Sequence, residues 1–138
     1  MLNFIKGGIV PILLNIISLA TLGYIDLKTY KIPNAILMGW TLAIISNHVI
    51  CSIPLSIHTL ISAFLTAGMY IPLRQVVKCS GGDFKLFAVI MLATGPTSAL
   101  IICLISMTIS LIPLACGLKR VPIAFLTFLA YTAFLLLK

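Results

Sequence analysis

The sequence predicts an all-α, polytopic membrane protein: a six-transmembrane-helix bundle forming one integral membrane domain over residues 1–138. Three observations carry that prediction. The chain is 62% hydrophobic and only 8% charged, against a soluble norm of about 45–50% apolar and roughly 25% charged. With a mean hydropathy of +1.26, so small a body has too much surface for its volume to hide its apolar side chains as a soluble fold. Uncharged apolar runs near the length of a membrane span recur along the chain, and the basic residues fall between alternate runs. A disordered tail, a nucleic-acid-binding domain and a disulfide-stapled secreted domain all fit poorly.

A spanning helix needs about 20 mostly apolar residues, with a range near 17–25. Uncharged stretches between turn signals give segments at 7–25, 35–51, 55–73, 84–95, 97–117 and 121–137. The first could pass for a secretory signal, with Lys6 in front and Leu19-Ala20-Thr21 behind. Its apolar stretch is long for one, however, and five more spanning candidates follow. The fourth and fifth segments divide a single apolar stretch between Lys85 and Lys119, where Gly95-Pro96 is a strong turn signal. The fourth is then short. The rival count is five crossings, with this stretch as one long tilted helix.

Nine Lys and Arg stand against two acids, and no long basic run occurs, so the excess reads as topology rather than as a nucleic-acid footprint. With six crossings, the loops after segments one, three and five share a side. They carry Lys28, Lys31, Arg74, Lys78, Lys85, Lys119 and Arg120. The other side has Lys6 and Lys138, at the chain ends. Seven against two makes those loops cytoplasmic, leaves both termini outside and puts the protein in the cytoplasmic (inner) membrane.

The remaining polar side chains have ordinary readings. Cys51, Cys79, Cys103 and Cys116 form no C-x-x-C pair, so zinc and redox motifs are unsupported and the four read as apolar fillers. His48 and His58 flank the outer loop between segments two and three and read as interfacial residues rather than metal ligands. Trp40, Tyr24 and Tyr30 read as packing or belt aromatics. Ser62 and Thr108 suit back-bonding to their own helices. No G-x-S-x-G or H-E-x-x-H occurs.

The two acids stand apart. Asp26 closes the first segment and Asp83 opens the fourth, so both fall at the cytoplasmic boundary although far apart in sequence. Each could simply pair with a neighbouring Lys28 or Lys85 at the interface. An ionised carboxylate near hydrocarbon is costly, and such acids tend to face a bundle interior and mark function.

Asp26-Leu-Lys-Thr-Tyr-Lys-Ile-Pro-Asn34 and Gly81-Gly-Asp-Phe-Lys-Leu86 resemble the two signature segments of the type IV prepilin peptidases, small polytopic aspartyl proteases with a G-x-G-D motif. In that family the first Asp is followed at fixed spacing by Ile-Pro-Asn, here Ile32, Pro33 and Asn34. The second Asp follows a glycine turn and precedes a Lys, here Asp83 and Lys85. The resemblance extends to the six-segment layout. It departs at Ser80, where the first motif glycine would fall; serine is small but disfavours positive φ. Larger bifunctional members carry a cytoplasmic zinc-binding domain with N-methylation activity between their first two segments. Here only Leu27 to Asn34 lies there, as in the minimal peptidase-only type.

The resemblance implies Asp26 and Asp83 as the catalytic pair, with Gly81, Gly82, Lys85, Pro33 and Asn34 supporting the site or touching substrate. It implies no metal and no cofactor. Its substrates would be prepilin-like precursors of type IV pilus or secretion systems, whose short basic leader stays cytoplasmic while an apolar helix enters the lipid bilayer, and cleavage would follow a glycine at the leader's end.

The chemistry is intelligible from the residues themselves. Amide hydrolysis by two carboxylates needs one ionised, to deprotonate water, and one protonated, to protonate the carbonyl. Two close like charges share a proton because both cannot easily ionise together, so the pair titrates as one unit. Gly81 and Gly82 would let backbone approach substrate closely, though a plain loop turn needs the same glycines. Pro33 suits the first turn of the second helix, and Asn34 a capping or loop hydrogen bond. Lys85 could hold site or substrate, or mark the interface. Two other classes compete. A small proton-coupled transporter would need an acid nearer mid-bilayer and an inverted repeat, and neither is visible. A non-catalytic subunit of a pilus or secretion assembly finds support in Ser80.

Overall fold

The computed structural model describes residues 9–51, 54–68, 81–117 and 121–137. These form six α-helices: α1 (Ile9–Thr29), α2 (Asn34–Ile50), α3 (Ile57–Gly68), α4 (Gly81–Thr94), α5 (Pro96–Ala115) and α6 (Ile123–Leu136). No strand occurs among the described residues.

Helix α4 lies at the centre, touching α2, α3, α5 and α6, while α1 packs along α6 and against α2. Its sequence dictates that position. Leu86 through Met91 are six consecutive residues, all buried, and a helix that is apolar all round must be covered on every side. The outer helices reverse the soluble pattern. Ile9, Leu13 and Ile17 on α1, and Leu100, Leu104 and Leu111 on α5, are exposed, whereas Asn15, Ser98, Ser106, Ser110 and Thr127 are buried. Buried polar side chains between helices find their hydrogen-bond partners on one another, as buried polar groups must. The Nε1–H of Trp40 donates to Asn15 Oδ1 at 3.0 Å, and Asn15 Nδ2 donates to the Tyr131 hydroxyl at 3.3 Å. That chain joins α1, α2 and α6. Ser106 and Thr127 share a second bond at 3.0 Å, between α5 and α6.

The break between the fourth and fifth segments is real. Gly95 has φ +83 and its N–H bonds to the Met91 carbonyl at 2.9 Å. Glycine reaches that conformation freely, and Pro96, with its fixed φ, then opens α5. The one-long-helix alternative is thereby removed.

Most helix ends fall within two residues of expectation, and the end of α1 and the start of α4 differ by more. Helix α1 runs on to Thr29 rather than stopping at 25, so Asp26 lies inside its last turns. Helix α4 starts at Gly81 rather than at 84, which puts Gly81, Gly82 and Asp83 in its first turn instead of in a loop. Both shifts follow from reading a charge as the end of a helix; a negative side chain is well suited to a helix N-terminus, and Asp26 finds its partner elsewhere in the fold. The third segment is described only to Gly68. Among the described residues, α1 and the Pro96–Pro113 stretch of α5 are long and apolar enough to cross a membrane. Helices α2, α3 and α6 are apolar but shorter, at 17, 12 and 14 residues. Fourteen residues rise about 21 Å, less than a roughly 30 Å hydrocarbon core.

Trp40 sits in the core at 3% exposure and so is no belt aromatic, because its indole N–H is needed by Asn15. Tyr24 and Tyr30 are exposed. Thr108 back-bonds to the Leu104 carbonyl at 2.8 Å, as its position suggests.

Candidate active site

Asp26 is buried at 4% exposure, and its partner is backbone rather than lysine. The Ala124 N–H donates to Asp26 Oδ2 at 2.8 Å. Ala124 is the second residue of α6, where backbone N–H groups have no acceptor within their own helix. The carboxylate of α1 therefore caps α6. Lys28, which could have paired with Asp26, instead sits 4.5 Å from the centroid of the Tyr24 ring.

Gly23, one turn before Asp26, makes this meeting possible. A Cβ built there would come 3.1 Å from Phe125 Cα and 3.6 Å from the Ala124 carbonyl oxygen. After Asp26, α1 ends at Tyr30, which has φ 51 and donates its N–H to the Asp26 carbonyl at 2.8 Å. A left-handed tyrosine is uncommon and costs about 1 kcal/mol. It turns the chain sharply so that Ile32-Pro33-Asn34 begins α2 beside the end of α1.

Pro33 is the N-cap of α2 rather than a residue of its first turn, and no side-chain cap bond forms there. Its extended backbone, φ −71 and ψ 125, suits a residue that stands just outside the helix. Asn34 is the first helical residue, and it serves a different partner from the one expected. Lys85 Nζ donates to Asn34 Oδ1 at 3.1 Å. The two sequence segments that carry the acids are thus tied together by one side-chain bond.

Asp83 is half-buried in the first turn of α4, two residues before Lys85. The C-terminal end of α1 and the N-terminal ends of α2, α4 and α6 consequently gather at one end of the bundle, with Asp26 and Asp83 both in that layer. Helix α4 touches both α2 and α6, the helices flanking α1. Ser80, Cys79 and the basic residues Arg74, Lys78, Lys119 and Arg120 lie outside the described residues. A cavity of about 380 Å³ lies at the opposite end, where His48 and His58 line it with Gly95 and Pro96. It is remote from the acids.

A profile of the type IV leader peptidase family matches residues 13–137. The chain belongs to this family. The matched stretch contains both acids, Asn34, Lys85 and all but the first turn of the helical bundle. Membership makes the protein a leader peptidase in general terms. No curated protein and no solved structure shows a significant match to the chain.

Three participants in the leader peptidase bundle escaped sequence reasoning: Gly23, Ala124 and Asn15. Asn15 had a readable signal, being a polar amide within an otherwise apolar segment. Ala124 acts through its backbone, and Gly23 through the absence of a side chain. Nothing in their residue types reveals either role.

Proposed function

We propose that this leader peptidase is a polytopic aspartyl endopeptidase of the cytoplasmic membrane, with Asp26 and Asp83 as its catalytic pair. The observation carrying the proposal is the gathering of both acids at one end of the bundle, with their segments linked by the Lys85–Asn34 bond. In the reaction, the ionised carboxylate takes a proton from water while the protonated one gives its proton to the scissile carbonyl oxygen. The water oxygen bonds to carbon, a proton passes to the amide nitrogen, and the C–N bond breaks. The pair ends with one proton, as it began.

The substrate is a prepilin-like precursor whose basic leader remains cytoplasmic and whose apolar helix lies in the bilayer, cut after a glycine at the leader's end. The apolar exteriors of α1, α2 and α5 and their buried polar partners support a chain that crosses the membrane six times, with the acids on the cytoplasmic side and the termini outside. Gly82, half-buried at the start of α4, and Gly81 supply a narrow approach for substrate backbone. Pro33, Asn34 and Lys85 hold the two acid-bearing segments in register.

Co-expression with a candidate precursor, read by gel mobility, tests the proposal. The parent should convert the precursor to a faster band, and Asp26→Asn and Asp83→Asn should not. Cleavage by either variant at the parent's rate would hand the protein to the non-catalytic assembly-subunit reading.

A further inference from the structure

The proposed pair gives Asp26 a chemical role but does not say which of its oxygens performs it, or what holds the carboxyl in place. A side-chain carboxyl in the last turns of a helix can rotate about two bonds, whereas two carboxyls sharing a proton demand a fixed geometry. The partner of Asp26 comes from the far end of the chain, at the first turn of α6.

Resting on the aspartyl-pair reading, we propose that the first turn of α6 is the positioning device of the site. The Ala124 N–H locks Oδ2 of Asp26 as an acceptor, and Gly23 is the positioning residue that admits it. An oxygen already accepting a backbone N–H at 2.8 Å has one lone pair engaged and its orientation set. Oδ1 is therefore the oxygen left to face water and the partner acid. The N-terminal turn of a helix supplies this donor at no loss to the helix, because that N–H has no acceptor within it.

Gly23 controls the distance. Gly23 and Asp26 are three residues apart and share a helix face. The atoms nearest a Cβ at Gly23 belong to the backbone of Phe125 and Ala124, at 3.1, 3.5 and 3.6 Å. A methyl group there meets helical backbone rather than a flexible side-chain tip. It pushes the turn away by a few tenths of an ångström and lengthens the Ala124–Asp26 bond. Gly39, by contrast, has nothing within 4 Å of its notional Cβ. It provides a matched control for the effect of alanine on a helix.

The test uses the full chain in detergent or proteoliposomes, with a purified precursor as substrate. Gly23→Ala should lower kcat on the order of tenfold, in line with the sensitivity of rates to sub-ångström misplacement, while KM stays within about twofold. Gly39→Ala should match the parent in both. A purely structural role for Gly23 would lower the yield or thermal stability of the protein without lowering kcat per folded molecule, and that result overturns the proposal.

Hydrogen exchange of the Ile123–Phe125 amides supplies a readout that needs neither activity nor the Gly23 variant. Asp26→Ala should speed exchange there about tenfold, as expected for loss of a hydrogen bond to a buried acceptor. Asp26→Asn, which keeps an acceptor oxygen, should leave it near the parent. Unchanged exchange in Asp26→Ala overturns the tie itself. If the tie holds but Asp26→Asn still cleaves, the aspartyl-pair reading fails instead, so the two failures are distinguishable.

Discussion

Lys85 reaches from α4 to Asn34 at the start of α2, its Nζ 3.1 Å from the amide oxygen. The two residues belong to the two separate acid-bearing segments, so the bond fixes one segment relative to the other. Both side chains are exposed, and the bond adds little to global stability. Its effect belongs to the geometry of the site.

Lys85→Ala and Asn34→Ala should therefore show coupled losses. Each single change should slow precursor cleavage about fivefold, and the double variant should be no slower than the worse single, as partners in one interaction behave. Rates from a cleavage time course decide this. Multiplying losses in the double variant would mean that the two side chains act independently of each other.

Asp26→Asn and Asp83→Asn should each reduce cleavage by at least about 10³-fold, and the double change should do no further harm, since a unit once broken cannot be broken again. Neither should reduce the amount of protein in the membrane. A neutral amide at that depth is no harder to bury than a carboxylate, and asparagine retains an oxygen for the Ala124 N–H. Quantitative immunoblotting beside the gel assay separates the two effects.

Thiol labelling in intact cells tests orientation. A chain whose sole cysteine is Cys51, exposed at the end of α2, should react with an impermeant reagent. A chain whose sole cysteine is introduced by Thr29→Cys should react only after permeabilisation. Labelling of the latter in sealed cells would reverse the assignment of the acids to the cytoplasmic side.

Asn15→Leu should destabilise the bundle by about 1–2 kcal/mol, because it strips partners from both Trp40 Nε1–H and the Tyr131 hydroxyl. Tyr131→Phe, which removes a single 3.3 Å bond, should have a smaller effect. Thermal unfolding in detergent ranks them. Equal stabilities would show that these bonds add nothing over contacts available in the unfolded state.

The parts legible in the sequence were those where a residue type contradicts its surroundings. Two acids in a chain with few charges, a Gly-Pro step within an apolar stretch and an Asn after Ile-Pro each stand out, and Asp26, Asp83, Gly95 and Asn34 all prove to occupy turning or joining points. The helix ends were misread because a charge inside a helix looks like a terminus until its partner is known. For Asp26 the partner is a backbone amide 98 residues away, which no local pattern encodes. Trp40 left packing and belt roles both open, because an indole at a membrane boundary and one satisfied by a buried amide have the same residue name; its burial against Asn15 decides for packing.

Trp40 is the chain's single tryptophan, and its burial against Asn15 gives the molecule an intrinsic optical reporter. Its emission should be blue-shifted and poorly quenched by acrylamide while α1, α2 and α6 remain assembled. It should move to the red as soon as that junction opens. Because the indole belongs to the same helix that begins at Asn34, rearrangement of α2 during precursor binding would be visible in the light the protein itself emits, with no label attached.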